Sequence, residues 1–145
     1  QGNGSVDVVP DVEFNADADP DRNVILYGNA ETNSAWKSLL RGCPVEVGRK
    51  GVRIGSRRFP GKNIGCLFLY PRAGSGAASV GAVSGTSIKG LRLTNTIPYL
   101  YPGNGYPDCL VMDSALPAQG SRGVLAAGFF GSDWSVESGD FVWNR

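Results

Sequence analysis

Glycine interrupts this chain too often for long helices. Twenty-one of its 145 residues are glycine and nine more are proline, a density that predicts tight turns between short elements. A chain of this length fits one domain and buries roughly 68–70% of its unfolded surface. The 41% apolar share is enough for a core without metal or disulfide staples. No apolar run approaches the length of a membrane-crossing helix.

The order of elements follows from the patterning. Val24-Ile25-Leu26-Tyr27 is a short continuous apolar run that suits a buried strand, closed by Gly28. A polar turn follows, and Ser34 to Arg41 carries Ala35, Trp36, Leu39 and Leu40 at helical spacing, with Gly42 where a helix C-cap belongs. Val45-Glu46-Val47 and Val52-Arg53-Ile54 then alternate with period two. Gly55-Ser56 reads as a hairpin loop, and Arg57-Arg58-Phe59 returns as a third short strand with arginines on a solvated face. Further strands are predicted at Ile64 to Tyr70, Ser79 to Val83, Cys109 to Met112 and Val124 to Phe130. Thr86 or Ser87 is placed to cap a helix running to about Thr96, although Gly90 weakens it. The tail ends in Phe141-Val142-Trp143. Strands that feed helices predict a single α/β domain over residues 22–145. Its partly parallel central sheet is flanked by two or more helices and carries an antiparallel β-meander insert.

Charge is unevenly spread behind a net value of +1. Residues 1–21 hold Asp7, Asp11, Glu13, Asp17, Asp19 and Asp21 without a lysine or arginine, the composition of an acidic linker lying free or against its own domain. Asp17, Asp19 and Asp21 alternate like the front of a calcium loop. Arg22 and Gly28 stand where that loop needs its glycine and its bidentate glutamate, so no metal site is assigned. Arg41, Arg49, Lys50, Arg53, Arg57, Arg58 and Lys62 crowd one stretch with only Phe59 available for stacking. That composition points away from nucleic acid and toward a solvated face or one docked on an acidic partner. Cys43, Cys66 and Cys109 lack CxxC spacing and read as buried thiols or as one disulfide with a leftover thiol. The chain begins at Gln1 without a signal-peptide pattern, as an excised fragment would.

The chain contains no histidine. That removes the usual proton shuttle at neutral pH and rules out a Ser-His-Asp or Cys-His system built from this chain alone. No Gly-x-Ser-x-Gly elbow occurs. Ser34-Ala35-Trp36-Lys37 matches S-x-x-K but lacks its companion motifs. No catalytic residue and no cofactor is therefore assigned. The binding candidates are turn and loop residues. Asn29, Thr32, Asn33 and Ser34 follow a buried strand and could hold a small anionic or hydroxylated ligand, or simply cap the next helix. Thr86 stands in a second strand-to-helix turn, and a shared cleft follows if both turns lie on one edge. Tyr99, Tyr101 and Tyr106 lie in a Tyr/Pro/Gly loop, where rings stack on sugars, anchor a protein interface, or fold half-buried over a sheet edge. Trp36, Trp134 and Trp143 read as core or edge packing.

Several spaced segments together resemble a known domain. They are Asn23 to Asn33, Cys43-Pro44-Val45, Gly65-Cys66-Leu67-Phe68-Leu69-Tyr70-Pro71-Arg72, and Ala126-Ala127-Gly128-Phe129-Phe130-Gly131-Ser132-Asp133-Trp134. In this order they resemble the C-terminal accessory α/β domain of secreted bacterial prolyl-oligopeptidase-like α/β-hydrolases, both peptidases and esterases. More distantly the chain is similar to an α/β domain of archaeal surface-layer proteins. The resemblance spans about residues 22–143. It implies a noncatalytic role beside a preceding catalytic hydrolase domain of the same polypeptide, in a secreted or periplasmic setting. No catalytic residue carries over, and a polysaccharide or peptide substrate is a further partner to be expected. The alternatives are a carbohydrate-binding module using the three tyrosines, or a surface-layer-like structural or assembly domain.

Overall fold

A computed structural model describes residues 5–99 and 102–144. Nine strands dominate it. A six-stranded sheet is formed by β1 (Val24–Tyr27), β5 (Gly65–Pro71), β6 (Ser79–Gly85), β7 (Cys109–Met112), β8 (Val124–Phe129) and β9 (Asp140–Trp143) in the order β1-β6-β5-β7-β8-β9. A three-stranded meander holds β2 (Val45–Gly48), β3 (Gly51–Ile54) and β4 (Arg57–Pro60). The α-helices are short: α1 (Trp36–Leu39), α2 (Ile88–Leu93) and α3 (Leu116–Gln119).

The fold is a single domain with a mixed sheet and the expected antiparallel meander, but it is richer in β-structure than the α/β expectation. Only β1 and β6 pair in parallel; every other neighbour in the large sheet is antiparallel. The helices shrink for local reasons. The first was expected over Ser34 to Arg41, yet the Asn33 Oδ1 accepts the Ala35 N–H and delays its start to Trp36. The second matches its expected span more closely. Ser87 caps it by accepting the Gly90 N–H, and a 3₁₀ turn over Thr94–Thr96 ends it. The helix α3 has no counterpart in the sequence reading. The tail becomes the edge strand β9, tied to the meander by aromatic rings: Trp143 stacks on Phe141 at 5.1 Å and on Phe59 at 6.3 Å.

The core lies between the two sheets. Alternation places Val45, Val47, Val52, Ile54 and Phe59 inward, while Glu46, Arg53 and Arg58 form an outward row across the meander. The inward residues meet Leu26, Val80, Ala82, Cys66 and Phe68 of the large sheet, with Trp36 and Leu39 closing one side. On the opposite, outer face, Leu67, Val83, Leu110 and Met112 are covered by Leu91, Leu93, Ile97, Tyr99 and Leu116. That cover is incomplete, and the uncovered part carries the groove described below.

Residues 10–23 pack against the domain through one buried side chain. Arg72 is 3% exposed. Its guanidinium donates to the carbonyls of Asp19 at 2.8 Å, Arg22 at 2.5 Å and Ala16 at 2.6 Å, and it lies over the Phe14 ring. Three backbone acceptors take the place of a carboxylate; among the described residues no acid lies within ion-pair distance of Arg72.

Candidate functional site

Because β1 and β6 run parallel as neighbours, the two strand-to-helix turns meet at one edge. They do not open a cleft. The Asn29 Nδ2 donates to the Gly85 carbonyl at 2.9 Å and joins the turns directly, and Asn29 is itself buried. Thr32 Oγ1 accepts the Asn29 N–H, Asn33 Nδ2 donates to the Tyr27 carbonyl, and Thr86 Oγ1 accepts the Ile64 N–H. The Ser34 N–H donates to Asp11 Oδ2 at 2.7 Å. That contact holds the Asp11 carboxyl below its ordinary range. The chain's own carboxylate therefore sits where the sequence suggested an anionic ligand. Asp11, Glu31, Thr32, Asn33, Ser34 and Lys37 line an open polar depression of about 400 Å³ there.

The tyrosine loop leads to a second, mostly apolar feature. Register places Ile25, Gly81 and Leu69 in one row across β1, β6 and β5. Ile25 and Leu69 are 45% and 42% exposed. Tyr99, Tyr106, Pro107 and Asp108 border this row and line a groove of about 260 Å³ that is open to solvent. Tyr99 forms one wall. Burial pushes its phenol up from the ordinary tyrosine range, and hydrogen bonding to the Tyr27 phenol adds to this while Thr94 opposes it. Asp108 accepts the Phe130 N–H through Oδ2. Among the described residues its other carboxylate oxygen has no protein donor. Tyr101, the third tyrosine candidate, lies outside the described residues. Of this lining the sequence singles out Tyr99 and Tyr106 and gives no sign of Ile25, Leu69, Gly81 and Asp108. No linear pattern unites residues from β1, β5, β6 and the loop before β7.

Cys43, Cys66 and Cys109 are unbridged thiols in the core between the sheets. A hydrogen bond with Cys66, followed by burial, drives the Cys109 thiol far up. Burial pushes Cys43 up to about 12. At pH 8 such a thiol is ionised to only about one part in ten thousand. Native protein treated with iodoacetamide is expected to stay unlabelled at Cys66 and Cys109 and to react far more slowly at Cys43 than a free thiol. All three should label after unfolding, as read by mass spectrometry. Rapid native labelling of Cys43 would contradict its placement.

Among the described residues no group of three histidine, cysteine or acidic side chains is placed to hold a metal ion. No helix among them is long and apolar enough to cross a membrane. No family model matches the chain, and no solved structure matches it. The chain is similar to a protein of the fungus Arthroderma benhamiae described as an uncharacterized secreted protein, with 28% identity over 127 residues. The match takes in 83% of this chain but only 13% of that relative's length.

Proposed function

We propose that this chain is a noncatalytic accessory domain of a longer secreted serine hydrolase, supporting the catalytic domain or helping it to hold substrate. The observation that carries the reading is the mismatch in length: a domain-sized chain aligns with 13% of a far longer secreted relative. The segment resemblance to domains that follow an α/β-hydrolase points the same way. The absence of histidine supports a role without proton transfer of its own. Exposed Val6, Val8 and Val12, and Phe129 and Val142 on the outer sheet face, offer apolar surface that a neighbouring domain would bury.

The test is direct. The purified chain, offered p-nitrophenyl esters and peptide substrates and a fluorophosphonate probe, is expected to show neither turnover nor covalent labelling. Turnover abolished by a point substitution in one of its own side chains would overturn the reading.

A further inference from the structure

The geometry points to a ligand seat over Gly81: the groove takes one neutral pyranose unit of a polysaccharide. This goes beyond the accessory role and holds whichever polypeptide carries the domain.

Gly81 is the first argument. It lies in the middle of β6, between strands on both sides, where glycine weakens a strand. Nothing structural requires it. Its backbone is outside the left-handed region, and a Cβ built there meets no atom within 4 Å. The open space lies between Ile25 and Leu69, its cross-strand neighbours. A glycine without a steric reason in a central strand marks a place where something else approaches the backbone. A volume of about 260 Å³ falls just below the roughly 300–1,000 Å³ of drug-sized sites, which leaves room for a single ring.

The lining selects the chemistry. Ile25, Leu69 and the bare backbone of Gly81 offer an apolar floor that suits the C–H face of a sugar, and Tyr99 and Tyr106 supply aromatic walls. A wholly apolar occupant, such as a partner's side chain, would desolvate the free oxygen of Asp108 without giving it a donor, which is costly. A ring hydroxyl supplies that donor. The same carboxylate repels phosphate and uronate groups, which leaves a neutral sugar.

Affinity electrophoresis of the full chain in gels containing neutral soluble polysaccharides (a β-glucan, a mannan, a xylan and a galactan) tests this, with alginate as the anionic comparison. The expected result is retardation on at least one neutral polymer and none on alginate. Gly81→Val fills the seat and should weaken that binding by about tenfold or more, with the melting temperature unchanged or raised because a β-branched residue replaces glycine in a strand. Gly81→Ala gives a smaller loss and guards against a folding defect. Three results overturn the proposal. One is no retardation on any neutral polymer. Another is retardation that Gly81→Val leaves intact. The third is light scattering that shows a dimer broken by Gly81→Val without glycan binding, which would make a second copy the occupant. None of these bears on whether the chain turns over esters, so the two readings fail separately.

Discussion

Replacing Arg72 with leucine is expected to lower stability by about 2–4 kcal/mol and to release the segment that precedes β1. The guanidinium satisfies three carbonyls at once, in a site that is 3% exposed. Leucine is apolar but shorter and removes every donor, so the carbonyls of Ala16 and Arg22 lose the guanidinium together with that of Asp19, which keeps only the Arg22 N–H. Charge-assisted hydrogen bonds contribute about 1.5–3 kcal/mol each, and three in one network do not add in full. Arg72→Lys retains the charge but cannot reach three acceptors in different directions, so an intermediate loss is expected. The local effect separates this account from general destabilisation. Trypsin under native conditions should cut after Arg22 in Arg72→Leu and spare that bond in the unaltered chain. Equal resistance of both would show that the segment is held by something else, such as the Asp11 contact with Ser34 or the Asn23 contact with Ser79.

Gly90→Ala should cost about 3 kcal/mol, the upper part of the usual range for overpacking. The sign opposes helix propensity, because alanine in place of an exposed helical glycine gains about 1 kcal/mol. Here the helix α2 lies directly on the sheet. A Cβ at Gly90 would stand 2.3 Å from the Ile64 carbonyl oxygen, with the Ile64 carbon and nitrogen also under 3 Å away. Those atoms are backbone and cannot rotate aside. Gly85 completes the seam from the other side, since a Cβ there would stand 2.2 Å from the Leu91 nitrogen. Chemical denaturation measures the effect, and a midpoint equal to or above that of the unaltered chain would refute the close packing. The groove is read independently of this seam: Gly81→Val adds a larger side chain on the neighbouring strand at no expected cost. The contrast between Gly81 and Gly90 is thus an internal control on whether open space or backbone contact surrounds each glycine.

The same glycines show how far local sequence reaches. In the sequence, Gly90 counts against a helix; in the fold it is the residue that lets that helix touch the sheet. Gly81 looks like one more small residue in a strand, and only the flanking strands reveal a seat. Asn29, Thr32, Asn33 and Ser34 are legible as a turn. That their polar groups bond to one another, to Gly85 and to Asp11 depends on elements up to 56 residues away. The tyrosine loop announces aromatic surface without saying that Ile25, Leu69 and Asp108 share it.

By itself the amino-acid sequence determined the strands of the meander and most of those in the large sheet, narrowed the α2 cap to Thr86 or Ser87, and excluded a histidine-based catalytic system, because each depends on neighbours in the chain or on composition alone. The tertiary structure alone decided that one pair of strands is parallel and the rest antiparallel, that Arg72 serves as a buried clamp, and where the groove lies. Those outcomes depend on pairing and register between distant segments. A buried arginine and a surface one, or a glycine under open space and one under backbone, look the same until the strands are in place.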